Sequence, residues 1–177
     1  MLNKQWPFTI GCVFLLVNLG SNVVADESLV LHYTFQTDTG ETAKDQSIYG
    51  NDGKIVQGQS LDQFDGRGGV LRFDGEKSVL NCPDSDSLFW SGDVSLEMWV
   101  RPNGPMKGNG DGSLFEANYF NFSVVSWFQL RPGFGTVHPE HGRETFLLPV
   151  TRSILSDEWS HIAMVVEYPR WRYYCNG

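Results

Sequence analysis

Strict alternation of apolar residues with other residues along residues 94–102 is the clearest pattern in this chain. The apolar set is Val94, Leu96, Met98 and Val100. Side chains alternate between the two faces of a β-strand, so this pattern predicts an inner strand with one face buried against a second sheet. A Gly-Asp turn precedes the strand, and Pro102, which has no N–H for a ladder, closes it.

Shorter runs of the same kind recur along the chain, with turn residues between them. Predicted strands cover residues 29–35, 54–57, 70–74, 78–82, 113–117, 122–130, 145–148, 160–167 and 171–175. Residues 131–143, which contain two prolines and two histidines, are interpreted as a long loop. Many short strands, with no amphipathic helix after residue 25, favour an all-β fold built as an antiparallel β-sandwich.

Residues 1–25 have the layout of a secretory signal peptide. Lys4 precedes an apolar run from Phe8 to Leu19, and Val23 and Ala25 put compact residues before a cleavage site. The run is shorter than the roughly 20 apolar residues that span a bilayer comfortably. We therefore expect a mature domain over residues 26–177, without a membrane span, that is secreted, held at the cell surface or periplasmic. An uncleaved N-terminal anchor is the alternative.

The chain ends on Asn176-Gly177, which is the strongest two-residue hairpin signal because both residues accept positive φ. The sequence thus predicts a turn without its returning strand. We expect a sandwich that is incomplete at its C-terminus, with an open sheet edge beside residues 171–175.

The net charge of the chain limits the classes of partner that it is expected to bind. The chain has 13 Lys and Arg residues against 21 Asp and Glu residues, a net charge of −8. An acidic chain without a basic stripe argues against nucleic acid and anionic membranes as partners.

The predicted mature domain keeps Cys82 and Cys175. In an oxidising compartment these two form a possible disulfide, and two small buried thiols are the alternative.

Known catalytic patterns are missing from the sequence. Glu97 is the only carboxylate on its predicted strand, whereas glycoside hydrolysis needs paired carboxylates. There is no Gly-x-Ser-x-Gly nucleophile turn, and neither cysteine has the features of an activated thiol. His161, at the start of a strand, is interpreted as structural. The sequence favours a protein that is not an enzyme.

Aromatic side chains are the candidates for a ligand site. Exposed aromatic rings stack on the faces of sugars, and nearby polar groups fix the hydroxyls. The candidates are Tyr119, Trp127 and Trp171. For each of them, a place in the aromatic core of the sandwich is the alternative.

Six segments, taken in order, resemble the laminin-G-like, concanavalin-A-like jelly-roll modules of secreted bacterial proteins. They are LHYTF at 31–35, DQSIYGNDG at 45–53, LRFDG at 71–75, VSLEMWVRP at 94–102, WSHIA at 159–163 and YYCNG at 173–177. The resemblance extends from residue 29 to the end, although residues 103–157 match poorly. It implies a jelly-roll sandwich for residues 26–177 whose final strands are missing.

The resemblance also implies a structural calcium ion bound by the loop after the first strand. In this chain that loop offers Asp45, Asn51 and Asp52 as oxygen donors. Calcium takes about six to eight oxygen ligands, some of them backbone carbonyls. The alternative is that these residues only form turns.

These observations together predict a secreted, non-catalytic binding or adhesion module. A polysaccharide or a glycoprotein glycan is the expected ligand. Two other functions stay open: an ancillary domain of a larger secreted enzyme such as a glycoside hydrolase, and a structural spacer of a surface protein.

Overall fold

The computed structural model describes the protein in thirteen segments. They are residues 8–16, 27–36, 38, 40–61, 68–75, 77–89, 93–103, 112–116, 120–125, 129–138, 142–147, 157–167 and 170–177. Within them the chain is all-β, as predicted, while the jelly-roll sandwich stays a prediction. None of the helical structure in these segments is long and apolar enough to cross a membrane.

The described segments contain fourteen strands and one short 3-10 helix, Asp86–Leu88. The strands are β1 (Phe8–Leu16), β2 (Leu29–Tyr33), β3 (Thr42–Ala43), β4 (Gly53–Val56), β5 (Gln59–Leu61), β6 (Val70–Arg72), β7 (Val79–Asn81), β8 (Val94–Pro102), β9 (Gly112–Glu116), β10 (Phe120–Val125), β11 (Gln129–His138), β12 (Gly142–Leu147), β13 (Ser160–Glu167) and β14 (Arg170–Cys175).

The largest sheet places β8 in its interior, as the sequence predicts. Its strand order is β14-β13-β8-β1-β6-β5, and β2 also pairs with β1. All the pairings are antiparallel. Buried and half-buried residues alternate along the whole of β8 and of β13, so each of these strands has one core-facing row and one outward row.

One hydrophobic core connects this sheet to the three-stranded sheet β3-β4-β7. The core rows of β8 and β13 supply much of it, together with Leu31 and Tyr33 of β2. Ala43 of β3 and Ile55 of β4 are buried in the same cluster. Each large apolar side chain removed from water stabilises the fold by about 1.5–3 kcal/mol, so the shared cluster joins the two sheets energetically.

A third sheet, β12-β11-β10-β9, corrects the interpretation of residues 131–143 as a loop. Most of that stretch is strand, because β11 extends to His138 and β12 begins at Gly142. Pro132 misled the prediction, since proline cannot donate to a ladder. In the structure Pro132 pairs only with Phe122 of β10, and pairing with β12 begins at the next residue, Gly133.

The N-terminal apolar run contributes a strand, β1. This strand pairs with β8 along one edge and with β2 and β6 along the other. The expected signal peptide over residues 1–25 and the domain over residues 26–177 stay predictions, and β1 gives part of that leader a place in the sheet.

The Asn-Gly signal has the backbone conformation that a hairpin turn needs. Asn176 has φ 57° and Gly177 has φ 91°. Asn176 also donates its N–H to the His161 carbonyl at 2.9 Å, and its Oδ1 accepts the His161 N–H at 2.9 Å. The end of β14 is therefore fastened to the start of β13.

Candidate functional site

The Asp45 loop, residues 45–52, is organised by one carboxylate. Oδ1 of Asp45 accepts the backbone N–H groups of His32 at 2.8 Å and Ser47 at 2.9 Å. Oδ2 accepts the N–H of Asn51 at 2.7 Å and the hydroxyl of Ser47 at 2.5 Å. Four donors thus converge on a single side chain, and they tie the loop to itself and to β2.

Asn51 is the buried end of the same network. Its Nδ2 donates to the carbonyl of Val30 and to Oγ of Ser87, both at 2.8 Å. Its carbonyl accepts the hydroxyl of Tyr33 at 2.5 Å. The side chain is buried, where an unsatisfied amide would be costly, so these bonds fix the loop against β2 and the 3-10 helix.

Asp52 holds the outer part of the loop. Its Oδ2 pairs with Nζ of Lys44, and its Oδ1 accepts the N–H of Asp45 at 3.0 Å. The hydrogen bond from Lys44 is the main reason why the pKa of Asp52 is lowered, and the bond from the Asp45 N–H acts in the same direction. Both charged side chains are well exposed, so this pair orients the loop more than it stabilises the fold.

The expected calcium donors are neighbours in the structure, but their oxygens already accept hydrogen bonds. A carboxylate offers about four lone-pair sites, and the four donors to Asp45 use them. Among the described side chains no cluster of three or more His, Cys, Asp or Glu residues is placed to hold a metal ion. In this arrangement these oxygen donors do not fit calcium. The calcium site stays a prediction, and it requires the loop to rearrange.

His32 and Tyr33 lie where the loop meets β2. Burial lowers the pKa of His32, although the nearby Asp45 carboxylate partly opposes this shift. Burial also raises the pKa of Tyr33 far above its ordinary value. Both side chains are therefore neutral at neutral pH.

The possible disulfide between Cys82 and Cys175 is not formed in the structure. Cys82 follows β7 of the three-stranded sheet, whereas Cys175 ends β14 of the seven-stranded sheet opposite Ile162. The Tyr33 hydroxyl lies 3.7 Å from Sγ of Cys82. The Cys82 residue is exposed as a whole, yet burial of its thiol raises the pKa, so it is not an activated nucleophile.

A second group of side chains lies on the outward rows of β8, β13 and β14. We call it the outer face and define it as Glu97, Trp99, His161, Ala163 and Tyr174. Oε2 of Glu97 is 3.0 Å from Nε2 of His161. The rings of Trp99 and His161 have centroids 5.0 Å apart and are tilted by 43°. The outer face therefore combines an aromatic surface with a carboxylate–imidazole pair.

Strand register explains the shape of the outer face. Ala163 is paired with Glu97 on one side and with Tyr174 on the other. Neighbouring strands are about 4.8 Å apart, so the backbones of Glu97 and Tyr174 are separated by about 10 Å. A methyl group lies between two longer side chains, and Tyr174 is 42% exposed. The short side chain of Ala163 therefore separates the positions of Glu97 and Tyr174 on this face.

The sequence did not predict the Glu97–His161 pair. It treated Glu97 as the only carboxylate on its strand and His161 as structural. The structure brings them together because β13 pairs with β8 so that His161 is opposite Trp99, next to Glu97. The alternation along each strand indicates which face a residue occupies. It does not indicate how two strands that are distant in the sequence pair with each other.

The outer face is defined by residues other than the three ligand candidates predicted from the sequence. Tyr119 and Trp127 lie outside the described residues. Trp171 belongs to β14, where it pairs with the buried Val166, so its register position is in the core-facing row. Its side chain is outside the described part of the chain. A ligand-binding role for these three residues stays a prediction.

The chain was also compared with protein families, curated proteins and solved structures. No match was found in any of the three. The resemblance to laminin-G-like modules therefore stays a prediction carried by the six sequence segments.

Proposed function

We propose that the chain is a secreted, non-catalytic jelly-roll β-sandwich module that binds carbohydrate through the outer face. The observation that carries the proposal is the packing of Trp99 against His161, beside the Glu97–His161 pair. The core shared between the seven-stranded and three-stranded sheets supports the sandwich architecture. The leader-like residues 1–25 support secretion.

The chemistry of the outer face suits a sugar. An aromatic ring packs against the C–H groups of a pyranose, while a carboxylate and an imidazole bind hydroxyl groups. The Glu97 and His161 side chains are 30% and 27% exposed, so both have a side open to a ligand while each orients the other. The chain's net charge of −8 favours neutral glycans over acidic ones.

The test is glycan-array binding by the full chain, with and without added calcium. We expect selective binding to neutral polysaccharide or glycan probes. The Trp99→Ala and Tyr174→Ala variants each should bind about tenfold more weakly, since loss of one stacking ring removes about 1–2 kcal/mol. Phe89→Ala is the matched control, because Phe89 is a highly exposed aromatic outside the outer face. It should bind like the wild type.

Two results would overturn this proposal. One is that no glycan binds above background, which would favour the structural-spacer alternative. The other is glycan binding that survives both outer-face substitutions at full strength. Thermal melting of each variant shows whether a loss of binding reflects the surface or the fold.

A further inference from the structure

Strand β1 lies between β8 on one side and β2 and β6 on the other, inside the seven-stranded sheet. We call the space that it fills between these strands the gap. One edge of β1 pairs with β8 from Phe8 to Leu16. The other edge pairs with β6 at Thr9 and Ile10 and with β2 from Val13 to Leu16. Within the described segments, β1 is the only strand that pairs with this edge of β8. Without it, β8, β2 and β6 would all lose ladder partners next to the core.

The register of β1 matches the core on both sides. Three of its residues, Ile10, Val13 and Leu15, have a buried register partner on each neighbouring strand. The partners are Val100 and Leu71 for the first, Met98 and Tyr33 for the second, and Leu96 and Leu31 for the third. Residues directly opposite each other share a face of the sheet, so these three positions belong to the core-facing row.

A β-bulge makes this match possible. Ile10 and Val13 are an odd number of residues apart, and a regular strand would place them on opposite faces. The register with β8 shifts between Ile10 and Val13, so that one extra residue of β1 is accommodated there. A bulge of this kind changes the phase of a strand, and a slip of one residue would move the apolar set off the core row. The gap is thus matched to one register of this segment.

The same residues form the apolar run of the predicted signal peptide. A leader is recognised by its overall hydrophobicity, whereas a strand in this gap is recognised by which of its positions are apolar. Removal of a leader would leave the gap bordered by unpaired backbone groups, and such edges pair readily with an extended segment. Main-chain hydrogen bonds then supply the affinity, and alternate side chains supply the specificity.

We propose that the gap between β8 and the β2–β6 edge is a strand-acceptor slot, and that residues 8–16 are its occupant. The slot recognises apolar residues at the positions of Ile10, Val13 and Leu15, and it does not need a covalent connection to the strand that fills it. Cleavage between β1 and β2 therefore leaves a complex of two chains. This inference is independent of carbohydrate binding.

The test uses the full chain, produced without export, with a specific protease site in place of residues 18–22. After cleavage, native size-exclusion chromatography and intact mass spectrometry show whether the N-terminal fragment stays bound. Hydrogen exchange of residues 94–102 reports on the β8 edge, and exchange of residues 53–56 reports on the remainder of the fold. We expect the fragment to co-elute and residues 94–102 to stay protected.

Two matched variants distinguish a strand from a merely hydrophobic leader. Val13→Lys places a charge at a core-facing register position. Phe14→Lys removes similar hydrophobicity at a position paired with Glu97 and His32, outside the core row. We expect the Val13→Lys fragment to dissociate about tenfold faster or more, because a charge at a register position opposite two buried residues is strongly disfavoured. The Phe14→Lys fragment should dissociate at about the wild-type rate.

Either of two outcomes would overturn the slot. In the first, the wild-type fragment separates after cleavage, whether or not exchange at residues 94–102 changes. In the second, the two lysine variants release their fragments equally fast. If Val13→Lys does not fold, as loss of protection at residues 53–56 would show, Val13→Ala and Phe14→Ala must give the same order of release.

Discussion

The free energy of unfolding of the Asp45→Ala variant should be about 3–5 kcal/mol lower than that of the wild type. The substitution leaves four donors without their acceptor: the N–H groups of His32, Ser47 and Asn51 and the hydroxyl of Ser47. A hydrogen bond to a charged group contributes about 1.5–3 kcal/mol, and the partial exposure of these bonds reduces their sum. Urea denaturation followed by tryptophan fluorescence measures the difference.

Asp84→Ala is the charge-matched control for this prediction. Asp84 is exposed, and removal of a surface carboxylate should change stability by only about 0.5 kcal/mol or less. Equal losses in the two variants would contradict the role given to Asp45. Thermal melting of both variants and the wild type in added calcium tests the alternative that the loop binds the ion. A calcium-dependent rise in the melting temperature that Asp45→Ala abolishes would show that the loop rearranges to bind the ion.

The Gly69→Ala variant should lose about 3 kcal/mol or more of stability, or fail to accumulate as soluble protein. A Cβ atom at residue 69 would lie 2.2 Å from the carbonyl oxygen of Phe35 and 2.6 Å from the backbone nitrogen of Gln36. These are backbone atoms, so no side-chain rotation relieves the overlap. Phe35 is itself buried and already has a φ of 59°, which is uncommon for a bulky residue. Denaturant unfolding and soluble yield measure the effect.

Gly40→Ala separates this steric effect from the cost of a left-handed backbone. Gly40 has φ +62°, and a Cβ there would meet nothing within 4 Å. Alanine in that conformation costs about 1–2 kcal/mol. Gly69→Ala must therefore be the more damaging of the two. The opposite order, or equal losses, would mean that the contact between residues 35 and 69 does not constrain the fold.

The parts of the fold that the sequence predicted well are those set by local patterns. Period-two alternation is a property of one strand, so β8 and β13 and their core rows were predicted before the partner of either strand was known. The conformation of Asn176 and Gly177 was also predicted, because it follows from the φ preferences of the residues themselves. Asp45, Asn51 and Asp52 were predicted to be close together, since they belong to one short loop.

The parts that were missed depend on contacts between distant segments. The partner of Glu97 is set by the register of β13 against β8, which no local pattern records. The proline and glycines of β11 suggest a loop until the position of Pro132 relative to each neighbouring strand is known. The apolar run at residues 8–16 fits both a leader and a strand, because hydrophobicity alone does not distinguish them. Its register against three other strands does.

Oxidation of two methionines tests directly whether the apolar rows of β8 and β13 are buried in one core. Met98 is 1% exposed and Met164 is 2% exposed. Hydrogen peroxide should convert both to the sulfoxide far more slowly in the native protein than in the urea-unfolded chain, as peptide mass spectrometry measures. If Met98 and Met164 are oxidised at the unfolded-chain rate in a protein whose circular dichroism still shows β-structure, the two rows do not form a buried core.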